Sequence, residues 1–279
     1  MKVWSQYEES PGSSMGIKIK RMIQSENDRN GISVMDTDDF GRILHSGSTV
    51  LFSDCGEDPY HEMLAILPVT LSPSVRSVLL VGGSDGATLG LLTRITAIEK
   101  IVVAGTDTDA LEAVNTWFAS SASAFTDKRV KFEPRDGTDF VRDSRERFDL
   151  IIIDIPGAAS SSEYPQSFFC DCFRLLSSDG AIVVDCGPHG FLKGRRELGT
   201  SISKLKRLFP VFRLYSSPGV LPGFSPRLFA FATKTFDPAK SCSDVSVMPS
   251  SISCSYINPS IIRSAFSLPE YLHRMIEGI

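Results

Sequence analysis

Four aspartates, each following an apolar run, are the residues whose type and spacing point to chemistry. They are Asp85, Asp107, Asp136 and Asp154. A carboxylate can hold an organic cation, or it can accept a proton during a reaction. The same side chain also caps helix N-termini, which is the favoured interpretation of Asp107 taken alone. Four acids in equivalent positions are harder to explain as caps alone, so a shared site is predicted.

The apolar runs before these acids predict the strands of a parallel sheet. The run Val78–Val81 lacks polar alternation, which is typical of a strand covered on both faces. Helical patterns separate the runs, from Ala87 to Ile95 and from Ala110 to Phe118. The alternation predicts βαβ units in a doubly wound α/β sheet, with its ligand beyond the carboxyl ends of the strands. The five predicted strands are Val78–Val81, Ile101–Ala104, Val130–Phe132, Phe148–Ile153 and Ala181–Val184.

The turn after the first of these strands is rich in glycine and reads Gly82-Gly83-Ser84-Asp85-Gly86. Glycine allows a sharp turn and a close approach of the backbone to a ligand. The turn precedes a predicted helix, and open α/β sheets commonly hold nucleotides at such helix N-termini. A plain tight turn is the alternative interpretation, because a glycine pattern alone is weak evidence.

Bulk composition excludes several classes of function. The chain has 279 residues, 42% of them hydrophobic, and a formal net charge of −4. No long basic run is present, which argues against nucleic acid as a partner. No run of 18 apolar residues and no signal peptide is evident, so a soluble cytoplasmic protein without a membrane partner is expected. The six cysteines form no CxxC pair, so free thiols are expected and a zinc site is not.

The first fifth of the chain has a different pattern of polar and apolar residues. Alternating segments at 17–20, 32–36 and 42–44 predict a small antiparallel sheet of hairpins. The predicted domains are therefore an N-terminal β-hairpin domain at 1–55 and a Rossmann-like catalytic domain at 56–279. Three more segments complete the interpretation: a helix at Tyr60–Leu67, a surface loop at Asp237–Ser255, and two short helices in Pro259–Ile279 that are separated at Pro269.

Five motifs together resemble the polyamine aminopropyltransferases, the spermidine synthase family, over nearly the whole chain. YHEM and the glycine turn, at their observed separation, are the most specific of them. The matching segments are Glu57–Met63 for the YHEM motif, Gly82–Gly86 for GGGDGG, Asp127–Val130 with Asp136-Gly137 for "DPRV…DG", Ile151–Asp154 for the start of "IIxDSxDP", and Ser264–Pro269 for "aaFxLP".

The resemblance implies a Rossmann-like S-adenosylmethionine-dependent transferase fold with a small N-terminal antiparallel β-domain. It also implies a reaction, the transfer of an aminopropyl group from decarboxylated S-adenosylmethionine to a small-molecule amine such as putrescine. Methylthioadenosine is released, and no metal is expected. The implied assembly is a homodimer, or a heterodimer with an active relative.

The resemblance also implies roles for individual residues. Asp154 would be the base at the attacking amine, and Tyr60 would line the amine channel. Asp85 would hold the ammonium group of the donor and would repel the carboxylate of intact S-adenosylmethionine. Asp136 would bind the adenine amino group. His61 would lie on the donor side. The remaining implied cofactor-binding residues are Gly82, Gly83, Gly86, Asp107 and Gly137.

Each of these roles has an ordinary structural alternative. Tyr60 fits equally well as a core aromatic, and His61 as a satisfied interior histidine. Asp154 can instead be a helix cap or a solvated loop acid.

Some positions depart from the family pattern. Gly105 stands where the family has an acid that grips the ribose hydroxyls. Gly157 stands where a second acid binds the distal ammonium of a diamine, and the usual glutamine pair falls near Asn30 and Val50. An altered acceptor is therefore expected. The alternatives are another S-adenosylmethionine-dependent alkyl or methyl transferase and an inactive regulatory paralogue.

Overall fold

The computed structural model contains a small antiparallel sheet near the N-terminus. The five strands run in sequential order across this sheet, and three of them match the predicted hairpin strands. They are β1 (Val3–Ser10), β2 (Ser13–Gln24), β3 (Ile32–Thr37), β4 (Arg42–Ser46) and β5 (Thr49–Ser53). The structure describes residues 3–10, 13–24, 31–46, 49–105, 107–118, 122–154, 164–189, 196–219, 225–245 and 252–277.

A mixed sheet of seven strands forms the centre of the molecule. Its strands are β6 (Ser77–Gly82), β7 (Lys100–Ala104), β8 (Val130–Glu133), β9 (Phe148–Asp154), β10 (Leu176–Pro188), β11 (Val211–Ser217) and β12 (Arg227–Thr233). The spatial order is β11-β12-β10-β9-β6-β7-β8. The five predicted strands are present and parallel, which confirms the α/β fold class. β11 and β12 were not predicted, and they add an antiparallel edge.

Helices cover both faces of the central sheet. They are α1 (Asp58–Leu71), α2 (Ala87–Thr93), α3 (Thr108–Trp117), α4 (Gly137–Asp143), α5 (Gln166–Leu175), α6 (Arg196–Leu208), α7 (Pro238–Ser241), α8 (Pro259–Ser264) and α9 (Glu270–Glu277). Successive residues of β9 point to opposite faces, so Ile152 packs in the core with α1 and α2, while Ile151 packs in the core with α4 and α5. Unbroken apolar strands are therefore buried on both sides.

The small sheet packs against α3 of the central domain. Val34, Leu44 and Phe52 share a buried cluster with Phe118, and the Phe52 and Phe118 rings meet edge to face at 4.9 Å. The predicted boundary after residue 55 falls between the end of β5 and the start of α1. The division into two domains stays a prediction, because the two parts share this core.

The predicted surface loop at Asp237–Ser255 is wrong in part. Residues 238–241 form α7, and a short 3-10 turn follows at Cys242–Asp244. Pro238 and Cys242 are buried, so apolar contacts rather than local periodicity order this segment. Farther on, α8 and α9 lie on either side of Pro269, as predicted.

Two bulk expectations can be compared with the structure. All six cysteines lie in the described residues, and no disulfide bond joins any two of them there. Among the described residues, no helix has both the length and the apolar character that a membrane crossing requires.

Glu62 fastens the C-terminal segment to α1. Its buried carboxylate accepts hydrogen bonds from the backbone N–H groups of Ser255, Tyr256 and Ile257 at 2.6, 2.9 and 2.7 Å. Glu62→Gln would replace one acceptor oxygen with a donor and leave at least one of these three N–H groups without its acceptor. We expect this change to lower the free energy of unfolding by about 2–3 kcal/mol.

Urea unfolding of both proteins measures this difference. The control is Glu270→Gln, because Glu270 pairs with Arg274 across i,i+4 and its side chain is 72% exposed. That change should cost less than about 0.5 kcal/mol. Equal changes in the free energy of unfolding for the two substitutions would show that Glu62 does not stabilise the packing of the C-terminal segment on α1.

Candidate active site

The buried site lies at the carboxyl ends of two neighbouring parallel strands, β6 and β9. Asp154 is the last residue of β9, and Asp85 lies in the turn after the neighbouring strand β6. Gly82 is the register partner of Asp154, and the Gly83 N–H donates to the Asp154 carbonyl at 2.9 Å. Adjacent parallel strands thus place both carboxylates in one cluster with His61, with ligand atoms within 4.8 Å of one another.

Helix α1 supplies the aromatic side of the site. Pro59 lies in its first turn, where proline is well tolerated, and Tyr60 follows it into the interior. The Tyr60 hydroxyl is 2.9 Å from Asp185 Oδ2 and 3.2 Å from Asp154 Oδ1. A phenol has one proton to donate, so the two carboxylates compete for it. Tyr60 is therefore both a core aromatic and a member of the site.

A chain of four hydrogen-bonded groups connects α1 to Asp154. Glu57 Oε2 lies 3.0 Å from His61 Nε2, and His61 Nδ1 lies 2.9 Å from Thr88 Oγ1. Thr88 then donates to Asp154 Oδ2 at 2.6 Å. Because Thr88 gives its only proton to Asp154, its oxygen accepts from His61 Nδ1–H. The other ring nitrogen faces a carboxylate, so the arrangement favours the doubly protonated imidazolium.

Burial and mutual repulsion govern the ionisation of this cluster. Burial, reinforced by the Asp85 carboxylate, raises the pKa of Asp154 to about 7. Burial also raises the pKa of Glu57 to about 7, although His61 opposes the shift. Burial lowers the pKa of His61, but Asp85 and Glu57 outweigh it and raise that pKa to about 9. The site therefore places several carboxylates in a buried environment, with the protonated His61 side chain beside them.

Asp85 contributes an unsatisfied oxygen to the cluster. Its Oδ1 accepts from the Ala87 N–H at 2.7 Å, while its buried Oδ2 has no hydrogen-bond partner. A buried acceptor without a partner is costly, so the site is suited to a ligand that brings a donor. The carboxylates of Asp85 and Asp154 could hold a cation. Both ring nitrogens of His61 are engaged in hydrogen bonds, so the arrangement suits an organic ammonium better than a metal ion.

Asp107 and Asp136 lie outside this buried cluster. Asp107 Oδ1 accepts from the N–H groups of Asp109 and Ala110 and caps α3. Asp136 caps α4 in the same way, and both carboxylates are exposed. These two acids therefore do not belong to the buried cluster of Asp85 and Asp154, and their roles at the carboxyl edge stay predictions. The helix that follows each strand starts at once, and its N-terminus claims one carboxylate oxygen.

The glycines of the site permit close approach of backbone segments. Gly82, Gly83 and Gly86 all have positive φ in the turn after β6. Gly105 also has positive φ, and a Cβ there would lie 2.9 Å from the backbone nitrogen of Gly137. Gly105 therefore leaves no room for the ribose-binding acid that the family pattern leads one to expect. Thr106, Gly157 and Asn30 lie outside the described residues.

Sequence reasoning missed four members of the cluster. Glu57 has a local signal, since its spacing to His61 is i,i+4 on one helix face. Asp185 follows the apolar run 181–184, so the rule that located Asp154 could have found it. Thr88 and Arg227 have no such signal, because their roles depend on which strands become neighbours.

Comparisons with known proteins agree with this geometry. A family model described as "Spermine/spermidine synthase domain" matches residues 57–234. The polyamine aminopropyltransferase of Alkaliphilus metalliredigens (strain QYMF) is 28% identical over 283 residues, covering 100% of this chain and 99% of the relative. The polyamine aminopropyltransferase of Clostridioides difficile (strain 630) is 28% identical over 281 residues, covering 99% of each protein.

Solved structures show the same similarity. A spermidine synthase from Thermotoga maritima superposes with a TM-score of 0.86 at 24% identity, covering 99% of this chain and 95% of that one. A spermidine synthase in complex with the transition state analogue AdoDATO gives a TM-score of 0.86 at 25% identity, with the same coverage. The family model covers more than half of the chain and includes the residues of the buried cluster, and so the chain belongs to the spermine/spermidine synthase family.

Proposed function

We propose that this chain transfers an aminopropyl group from decarboxylated S-adenosylmethionine to a small-molecule amine and releases methylthioadenosine. Relatives named polyamine aminopropyltransferase and the family match support this reaction. One observation carries the proposal for this chain. Asp85 directs an unpartnered buried oxygen into the cluster that holds Asp154, where an ammonium group and an attacking amine would meet.

The proposed donor site begins at Asp85. Its Oδ2 would accept hydrogen bonds from the ammonium of the decarboxylated donor, and it would repel the additional carboxylate of intact S-adenosylmethionine. A methyl transferase is therefore the less favoured alternative. In this proposal the turn at 82–86 carries the donor, and His61 lies on the donor side. Asp107, Asp136 and Gly137 bind the nucleoside through groups that remain accessible at the carboxyl edge.

The proposed acceptor side centres on Asp154. A lysine-like amine has a pKa near ~10.4 and arrives protonated. Asp154 Oδ1 would take one proton from it, and Tyr60 would help to orient the nitrogen. The freed lone pair forms a bond to the methylene beside the sulfonium. The carbon–sulfur bond breaks with its electron pair staying on sulfur, which leaves neutral methylthioadenosine and a protonated secondary amine.

A direct assay tests this function. The purified chain is incubated with decarboxylated S-adenosylmethionine and a panel of amines, and methylthioadenosine is quantified by chromatography. Because Gly157 replaces a diamine-binding acid, the panel pairs each diamine with a monoamine of equal length. Release with at least one amine is expected. Absence of release with every amine, in a protein that binds the donor by calorimetry, would contradict the proposal and favour an inactive paralogue.

The pH dependence follows from the ionisation of Asp154. Burial and Asp85 raise the pKa of Asp154 to about 7, and only the ionised form can accept a proton. At low donor concentration, the rate is expected to rise about tenfold per pH unit below pH 7 and then to level off. A bound cationic donor stabilises the carboxylate, so saturating donor should move this limb to lower pH.

Initial rates from about pH 5 to 10, at low and at saturating donor concentration, measure this pH dependence. A rate that continues to rise towards the pKa of the free amine would mean that only neutral amine from solution reacts. That result would remove the base role of Asp154.

The assembly and the location are proposals of the same kind. A homodimer, a possible heterodimer with an active relative, and a cytoplasmic location are supported by the family resemblance. They stay predictions beside the proposed activity.

A further inference from the structure

A buried ion pair lies behind the proposed active site. Arg227, the first residue of β12, places its guanidinium on the Asp185 carboxylate, with Nε at 3.2 Å from Oδ1 and 3.1 Å from Oδ2. The two side chains are only 8% and 1% exposed. Asp185 lies at an irregularity in the β10–β12 register, and its Oδ1 also accepts from the Gly187 N–H at 2.8 Å.

The pair reaches Asp154 through Tyr60. The single hydroxyl proton of Tyr60 faces Asp185 Oδ2 at the shorter distance and Asp154 Oδ1 at the longer one. When the proton is on the Asp185 side, Asp154 Oδ1 is available to a proton from the incoming amine. Without Arg227, Asp185 would add a third unbalanced carboxylate next to Asp85 and Asp154.

We propose that Asp185 and Arg227 are positioning residues that direct the Tyr60 hydroxyl proton away from Asp154 and cancel the charge behind it. This inference rests on the proposed function and adds two residues to it. In the proposed reaction the pair touches no reacting atom. Its effect is exerted through Tyr60 and through the electric field at Asp154.

The charged or titratable groups that act on Asp154 include Tyr60 and His61 from α1, Asp85 from the turn after β6, and Asp185 from β10. Glu57 contacts His61, and Arg227 from β12 contacts Asp185. After burial and Asp85, Asp185 is a further group that raises the pKa of Asp154. Removing the cation or the anion of the pair should therefore change that pKa in opposite directions.

The sign of each change is specific. Arg227→Met leaves Asp185 unbalanced, so Asp154 should ionise about 0.5–1 pH unit higher than in the parent protein. Asp185→Asn leaves Arg227 unbalanced, so Asp154 should ionise lower by a similar amount. The double variant restores neutrality and should return close to the parent value. A purely structural role would not reverse sign between two substitutions of one pair.

Carbon-13 NMR titration of aspartate carboxyl groups in the ligand-free protein provides the readout, with the Asp154 signal assigned by its loss in Asp154→Asn. This measurement does not require turnover, so it tests the pair even if the proposed activity fails. The matched control is Arg213→Met, because Arg213 lies on neighbouring β11 and pairs with the distant Asp237. It should leave the Asp154 titration unchanged.

Kinetics provide the second readout. In the single variants the acid limb of the rate profile should follow the NMR titration, and kcat at the optimum should fall about tenfold because Tyr60 is misplaced. If Arg227→Met does not fold, Arg227→Lys and Asp185→Asn carry the test, and the lysine variant should titrate like the parent. Shifts of the same sign in the charge-removing variants, or no shift in either, would overturn the inference.

Discussion

Asp154→Asn is expected to lower kcat by about 10²–10⁴-fold, the range typical of a lost general base. Asparagine has nearly the same shape and can still accept the Thr88 hydrogen bond, but it cannot take a proton from the amine. The donor should still bind, because the Asp85 oxygen that faces its ammonium is unchanged. The loss should therefore appear in the chemical step, which single-turnover formation of methylthioadenosine measures.

The thermal stability of the variant distinguishes the loss of a base from misfolding. Burial raises the pKa of Asp154 to about 7, so its stabilising contribution is full below the unfolded value and is lost as the pH rises through 7. At pH 8 the neutral asparagine should leave Tm unchanged or higher. Asp149 provides the matched control, because it lies on the same strand and accepts from the backbone N–H groups of Arg76 and Ser77. Asp149→Asn should lower Tm and preserve kcat.

Two results would contradict the assignment of Asp154. One is an Asp154→Asn enzyme with a kcat within threefold of the parent, roughly 0.6 kcal/mol in barrier height. The other is a comparable loss of kcat in Asp149→Asn. Either would show that proton removal takes place elsewhere or in solution.

Asp85→Asn is expected to weaken binding of decarboxylated S-adenosylmethionine by about 10- to 150-fold. A hydrogen bond to a charged group contributes about 1.5–3 kcal/mol, and each 1.4 kcal/mol is tenfold in affinity. Asparagine Oδ1 can keep the bond from the Ala87 N–H, so the turn should hold its shape. Only the unpartnered oxygen is exchanged, and it becomes a donor that faces the ammonium.

Methylthioadenosine is the control ligand, because it lacks the aminopropyl ammonium. Its affinity, measured by calorimetry, should change less than threefold in Asp85→Asn. The preference for decarboxylated over intact S-adenosylmethionine should shrink, since the repelling carboxylate is gone. Asp237→Asn is the control variant, because Asp237 caps α7 with one oxygen in the same way but binds Arg213 with the other. If the substitution weakened the binding of both ligands equally, Asp85 would stabilise the turn rather than recognise the donor.

The two predictions address different halves of one charge arrangement. Asp85 and Asp154 lie close enough to raise the pKa of Asp154, and the protonated His61 balances only part of their charge. A donor with two positive charges suits such a place. The same repulsion keeps the pKa of Asp154 near 7. A general base is most effective when its pKa lies near the working pH.

Much of the fold could be predicted from the sequence because its signals are local. Short, mainly apolar stretches of three to six residues predicted five parallel strands, and all five are present. The caps formed by Asp107 and Asp136 are also local, since each contacts the backbone two and three residues ahead. β11 and β12 escaped prediction because β12 runs antiparallel between β10 and β11, outside the βαβ pattern that predicted the other strands.

The site could be predicted only in part. Asp85 and Asp154 each follow a predicted parallel strand, so the rule for parallel sheets places both at the carboxyl edge. That β6 and β9 are neighbours in the sheet is known only from the structure. The rule fails to say which of four acids are buried, because burial depends on the helices packed above each strand end. It also could not foresee that Gly105 must stay small, since its neighbour is the backbone of Gly137.

The strands and the glycine turn follow from the sequence alone, because residue periodicity and turn chemistry act over short distances. The pairing of β6 with β9, which brings Asp85 and Asp154 together, and the partners of those carboxylates depend on the tertiary structure. Arg227 reaches Asp185 across 42 positions, and Tyr60 reaches Asp154 across 94. Such pairs depend on the packing of whole elements, and no local pattern of residue types encodes that packing.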